Sequence, residues 1–194
     1  EEGSTPFLNS FRKEAFEKFN LLGVPAKKLE SYKYTNLETW FRHDYQSYFI
    51  PDESHYQKAE DFRCDVTDLD AHGIVLMNGF YPTLNGKLRE LPGGIIIGSL
   101  NEAARKYPHL LEKHYGKYAR NDSDGLIHLN TAMVSDGVFI YVPKGAAPGK
   151  PVQVVNLVDS EQDTFNQHRN LIIVEENARC SVIICDHTLS PQRF

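Results

Sequence analysis

Between positions 130 and 145 the chain reads NTAMVSDGVFIYVPKG, and this stretch limits the available folds more than any other. Val138–Val142 is an apolar run held between two breakers, Asp136-Gly137 and Pro143-Lys144-Gly145, so it reads as a short strand with both ends fixed. Three more β-type runs follow, at Val152–Val158, Leu171–Val174 and 181–185, all rich in Val and Ile. The last two are near-continuous apolar runs, a pattern suited to strands covered on both faces. The polar segment 159–168, between the runs at 152–158 and 171–174, must be a loop. No strict repeat period separates the strands, so a solenoid is suggested by their succession alone.

The first third of the chain has a helical rhythm. Thr5 can cap a helix and Pro6 can take its first position, where the missing N–H costs little. Leu8, Phe11, Ala15, Phe19 and Leu22 then recur at spacings of three and four, which gives one apolar stripe for docking onto the rest of the protein. Gly23 ends the helix, with Pro25 just beyond. Residues 23–33 read as an extended connector. Thr35 with Glu38 has the capping-box pattern for a second short helix through Leu37, Trp40 and Phe41. The polar and aromatic stretch 42–65 reads as loop or weak helix. Residues 74–77 form a short buried strand, and Asn78-Gly79 favours a tight hairpin turn after it, with a second such signal at Asn85-Gly86. A strand at 94–98 leads into Ser99 and Glu102, another capping box, for a helix through Ala103, Ala104 and Lys106 that Pro108 breaks. One more helix fits 110–118. The stretch 126–133 leaves helix and strand open.

Composition removes several function classes. A net charge of −5 and a pI near 5.9 give no basic footprint for nucleic acid. The local basic clusters (Arg12, Lys13, Lys18; Lys27, Lys28, Lys33) read as solvated faces. No apolar run approaches the ~20 residues of a membrane helix. Three cysteines, Cys64, Cys180 and Cys185, are too few and too unpatterned for a disulfide framework, which favours a reducing cytosol. Asn121-Asp122-Ser123 fits a glycosylation sequon, read as chance because no secretory signal accompanies it.

The candidate chemistry is sparse. The 145–151 segment GAAPGKP resembles a phosphate loop but has only three residues between its glycines, and Pro151 stands where a magnesium-binding hydroxyl is needed. A strand follows it, so no helix N-terminus faces a phosphate. Cys180 and Cys185 are the obvious metal candidates. Five residues apart on a strand, they fall on opposite faces and cannot share one ion, so each reads as a packed thiol. Cys64 has no ligand spacing around it. Asp186-His187 and His168-Arg169 sit at strand ends that stacking could bring together, but no nucleophile motif accompanies them. His43, His55, His72, His109, His114 and His128 show no metal spacing. The residues therefore assign no catalytic, cofactor-binding or metal site.

Three segments, in order, resemble one family, the SufB/SufD proteins of the SUF iron–sulfur cluster assembly system. The first is Gly23-Val24-Pro25 with Lys28, Glu30 and Tyr32-Lys33-Tyr34-Thr35, where Tyr32 stands at a position often held by Trp. The second runs from Leu129-Asn130-Thr131-Ala132 through Asp136-Gly137 to Gly145. The third is Arg169-Asn170-Leu171-Ile172-Ile173-Val174-Glu175-Glu176-Asn177-Ala178. The helical start is more like SufD than SufB.

The resemblance implies a mainly β fold with an α-helical N-terminal region, opening a right-handed parallel β-helix. It implies a mixed helical region over 1–124 and the first β-helix coils over 125–194, cut short, since family members are more than twice this long. It further implies a non-catalytic subunit that supports cluster assembly and iron acquisition in the cytoplasm. Its partners would be a SufB-like scaffold subunit and a SufC-like ABC ATPase, with a homodimer allowed and no nucleic acid or membrane involved. No cofactor is expected on this portion, and an iron–sulfur cluster only in the full complex. One rival reading is a carbohydrate-active β-helix enzyme, which needs paired carboxylates on one face of stacked strands. Another is an isolated iron or cluster binder, in which Cys180→Ala or Cys185→Ala would abolish metal uptake; no effect of either is expected.

Overall fold

The computed structural model describes residues 5–45, 53–62, 64, 69–82, 88–119 and 123–191. Helix α1 (Pro6–Leu22) forms where its signals lie. Thr5 Oγ1 accepts the Leu8 N–H at 3.2 Å, and Gly23 closes the helix at φ 68°, its N–H bonded to Phe19 O at 2.7 Å. Of the predicted stripe, Leu8 and Ala15 are buried while Leu22 remains exposed at its end. A 3-10 turn (Glu30–Tyr32) and the short helix α2 (Glu38–Phe41) follow. The Thr35–Glu38 capping box does not form. Leu37 occupies the N-cap of α2 without a side-chain bond, and the Thr35 N–H is taken by Tyr32 O at 2.8 Å in the preceding turn. Helix α3 (Glu53–Asp61) arises from the stretch read as loop or weak helix, and it buries only Ala59.

The remaining elements are β1 (His72–Met77), β2 (Leu88–Leu91), β3 (Ile95–Ser99), α4 (Leu100–Lys106), α5 (Pro108–His114), α6 (Gly125–Met133), β4 (Val138–Val142), β5 (Val152–Val158), β6 (Leu171–Val174) and β7 (Val182–Thr188). Two sheets result. One is parallel, in the order β1-β5-β7; the other is mixed, in the order β2-β3-β4-β6, with only β4 and β6 parallel. The Asn78-Gly79 turn forms with φ values of 48° and 81° and closes on Met77 and Phe80. The long partner of β1 is nevertheless β5, so this turn joins no pair of long strands. The predicted turn at Asn85-Gly86, and Asn121 and Asp122 of the sequon, lie outside the described residues.

Alternation along the strands sorts side chains into layers. Ile96, Phe139, Leu171 and Ile173 face Leu8, Leu100, Ala103, Leu111 and Tyr115, so α1, α4 and α5 cover one side of the mixed sheet. Its other side packs Ile95, Ile97, Val138, Ile140 and Val142 onto Ile74, Leu76, Val152 and Val154 of the parallel sheet. The far side of the parallel sheet holds Val75, Met77, Val155, Leu157 and Cys185 against Ala59 and Phe62. The order is thus helices, mixed sheet, parallel sheet, α3. Each fully buried Ile, Leu or Phe in these layers contributes about 1.5–3 kcal/mol.

This corrects the expected fold class. The chain is not mainly β and does not open a right-handed parallel β-helix: helices and two small open sheets share the fold, and no sheet among the described residues winds into a solenoid. The apolar runs have another cause. On β4 they are buried by helices on one face and by the second sheet on the other. On β6 and β7, read as covered on both faces, Ile172, Val174 and Ile184 are exposed because these are the outer strands.

Candidate metal centre

The recognisable stretch 130–145 does structural work. Ser99 Oγ–H donates to the buried Asp136 carboxylate at 2.9 Å, and the Asn101 and Gly137 N–H groups donate to its Oδ1 at 3.0 and 2.9 Å. Ser99 Oγ in turn accepts the Glu102 N–H at 3.1 Å, so one carboxylate anchors the start of α4 and the entry to β4. Asn130 Nδ2 donates to Gln167 Oε1 and His168 O, while its Oδ1 accepts from Arg169 Nε at 2.8 Å. Arg169 also donates to Thr131 Oγ1 at 2.7 Å and lies 5.5 Å over the Tyr115 ring. A Cβ on Gly137 would sit 1.8 Å from Arg169 O, so only glycine fits there. Tyr32 Oη–H donates to Asp124 Oδ2 at 2.7 Å, and Asp124 Oδ1 caps α6 by accepting the Leu126 N–H. Burial first, then the Asp124 carboxylate, push the Tyr32 phenol up to about 12. The three segments that carry the family resemblance therefore meet at α6: one at its N-terminus, two at its C-terminal end.

The grouping with chemical potential lies on the α3-facing side of the parallel sheet. Cys185 and His187 are two residues apart on β7 and so share a face, the one turned toward α3. Cys64 follows the end of α3. The ligand atoms of Cys64, Cys185 and His187 lie within 4.8 Å of one another, and all three residues are half-buried. Cys64 Sγ is 3.5 Å from His187 Nε2. Gln153 Nε2 donates to Cys185 Sγ at 3.7 Å, and the Phe62 ring lies 4.9 Å from the His187 imidazole. Two thiols and an imidazole converging in this way can hold a soft or borderline metal ion.

Sequence reasoning kept Cys180 and Cys185 apart, and the structure does so as well. Cys180 packs toward the layer between the sheets, where burial raises its thiol pKa, while Cys185 faces α3. What spacing along the chain did not show is Cys64, which reaches β7 only through the docking of α3. The available signal was the Cys-x-His alternation at 185–187. Of the histidine pair considered from strand ends, His168 does lie near Asp186. Burial lowers its pKa and the Asp186 charge opposes that shift. Asp186 itself accepts from Asn156 Nδ2 at 2.7 Å. His72 Nε2 lies 3.1 Å from the Pro148 carbonyl, and His114 pairs with Tyr118; His128 is buried on α6.

Comparison with known proteins gives a consistent result. A family model described as the N-terminal region of SufBD proteins matches residues 1–154. An iron–sulfur cluster assembly SufBD family protein of Arabidopsis thaliana, ABCI9, is 38% identical over 85 residues, covering 44% of this chain and 18% of that protein. The iron–sulfur cluster assembly protein SufD of Bacillus subtilis is 32% identical over 91 residues, 46% of this chain and 21% of the relative. SufB of the same organism is 33% identical over 85 residues, 44% of this chain and 18% of the relative. The matched stretches thus span about a fifth of each relative's length.

Proposed function

The chain belongs to the SufB/SufD family of iron–sulfur cluster assembly proteins, and from that premise we propose that it acts as a non-catalytic, SufD-like subunit of an assembly complex. In this reading it works beside a SufB-like scaffold subunit and a SufC-like ABC ATPase in the cytosol, and the cluster is cargo of the complex. The observation that carries the reading is the family match over residues 1–154. The convergence of all three resembling segments on α6 supports it. Identity to the SufD and SufB relatives is nearly equal, so the choice of SufD rests on the helical start, α1. Exposed Ile172, Val174 and Ile184 on outer strands suit a chain that works in contact with other polypeptide. Three free cysteines suit a reducing compartment.

The carbohydrate-active alternative loses its footing. Among the described strands the acids are Glu90 on β2 and Asp186 on β7, which belong to different sheets, so no carboxylate pair shares a strand face. The assembly role is tested by deleting the gene in its own host and assaying a cluster-dependent dehydratase under iron limitation. Activity falls and returns with the gene. Full activity in the deletion strain, with no second assembly system present, would overturn the reading.

A further inference from the structure

Cys64, Cys185 and His187 form the one group of three potential metal-ligating side chains found among the described residues. We propose that they bind a thiophilic divalent metal ion of the Zn2+/Fe2+ class through two thiolates and one imidazole, with an exchangeable fourth position. This goes beyond the assembly role and does not depend on it.

The ligand atoms approach the spacing of a metal-binding set. With metal–sulfur and metal–nitrogen bonds of about 2.3 and 2.0–2.1 Å at tetrahedral angles, adjacent sulfur and nitrogen ligands lie about 3.6 Å apart. Cys64 Sγ and His187 Nε2 are 3.5 Å apart. A simple thiol–imidazole hydrogen bond would explain that pair alone. It would not explain a second sulfur within 4.8 Å of both atoms. The strand period holds Cys185 and His187 on one face of β7, and α3 delivers Cys64 above them. The surroundings also suit bound thiolates. Gln153 Nε2 donates toward Cys185 Sγ, as outer partners of metal ligands do, and the Phe62 ring packs on the imidazole and limits its rotation. Thiolate and imidazole ligands select against Mg2+ and Ca2+, which prefer oxygen. Binding sends two thiol protons to solvent. All three residues are half-buried, and β7 is the outer strand of its sheet, so an ion can enter from solvent and the fourth position stays open to water or an exchanging ligand. Three protein ligands with one open position differ from the closed four-ligand arrangement of structural zinc sites.

The test is anaerobic titration of the reduced, metal-free intact gene product with Co2+, followed by Zn2+ competition. Wild type is expected to develop thiolate-to-cobalt charge-transfer bands and tetrahedral ligand-field bands, both erased by Zn2+. Cys64→Ser, Cys185→Ser and His187→Gln should each lose these bands or weaken binding by at least about 100-fold, beyond the 10–100-fold expected for an outer partner such as Gln153→Leu. Cys180→Ser should bind as wild type does. Circular dichroism of each metal-free variant guards against loss through misfolding; Cys64→Ser lies outside the regular elements and remains decisive if Cys185→Ser fails to fold. Absence of the bands in wild type, their survival in Cys64→Ser, or isolation of a Cys64–Cys185 disulfide that takes up no metal once reduced would each overturn the proposal.

Discussion

Replacing Asp136 by alanine should cost more stability than any conservative surface change, and the structure says why. The carboxylate is 6% exposed and receives the Ser99 hydroxyl and the N–H groups of Asn101 and Gly137. Hydrogen bonds to a charged acceptor contribute about 1.5–3 kcal/mol each. The full sum overstates the loss, because Ser99 can reorient and water can enter the small space left behind. A deficit of about 3–5 kcal/mol is expected, because the Asn101 and Gly137 N–H groups lose their acceptor at about 1–3 kcal/mol each. That is a large share of the ~5–15 kcal/mol typical of a whole domain. At this chain length it corresponds to a fall in Tm of roughly 6–20 °C. Asp136→Asn keeps the shape and one acceptor oxygen, so it should cost less, about 1–3 kcal/mol. Urea denaturation of Asp136→Ala, Ser99→Ala and the double variant gives the coupling between the two side chains, expected at about 1–3 kcal/mol. An Asp136→Ala protein within about 0.5 kcal/mol of wild type, the range of an ordinary surface substitution, would refute the view that this stretch is a structural anchor.

Three further outcomes follow from the same contacts. Gly137→Ala drives a Cβ to 1.8 Å from Arg169 O, and a denaturation midpoint equal to wild type would show that this backbone contact is not rigid. His168 has its pKa lowered by burial, so the folded state resists the proton that the unfolded chain accepts below about pH 6.5. Stability should therefore fall as pH drops below that value, and His168→Gln should lose part of that slope in paired denaturation curves. Tyr32, pushed up to about 12, stays protonated in the folded state while the unfolded phenol ionises near its ordinary value of about 10. Its contribution is intact below about 10 and is lost as pH rises toward 12, and Tyr32→Phe should cost about 1 kcal/mol at neutral pH and remove that alkaline step.

Local signals were readable where they are self-contained. Thr5-Pro6 and Gly23 mark the two ends of α1, and Ser99 caps α4 by accepting the Glu102 N–H. The strands at 138–142 and 152–158 lie within one residue run each. Spacing alone misleads where a competing local bond or a distant partner decides. Thr35 and Glu38 have the spacing of a capping box, yet the turn at 30–32 takes the Thr35 N–H first. Residues 126–133 are apolar on more than one face because α6 packs closely on α1, where a Cβ on Gly125 would lie 1.9 Å from Gly23 O. Helix α3 has little apolar content of its own and forms by docking on the parallel sheet. The β-helix expectation extended a run of short strands, but β2 and β3 enter antiparallel and helices cover the outer face of the mixed sheet. The metal-ligating group was half legible: Cys185 and His187 share a strand face by period alone, whereas Cys64 joins them from 121 positions earlier than Cys185.

The assembly role stands or falls on an anaerobic pull-down of the tagged intact gene product from its own host, read by mass spectrometry. A SufB-like subunit should be recovered together with an ABC-type ATPase. Recovery of the protein alone, or with a glycan and no such partners, would contradict it.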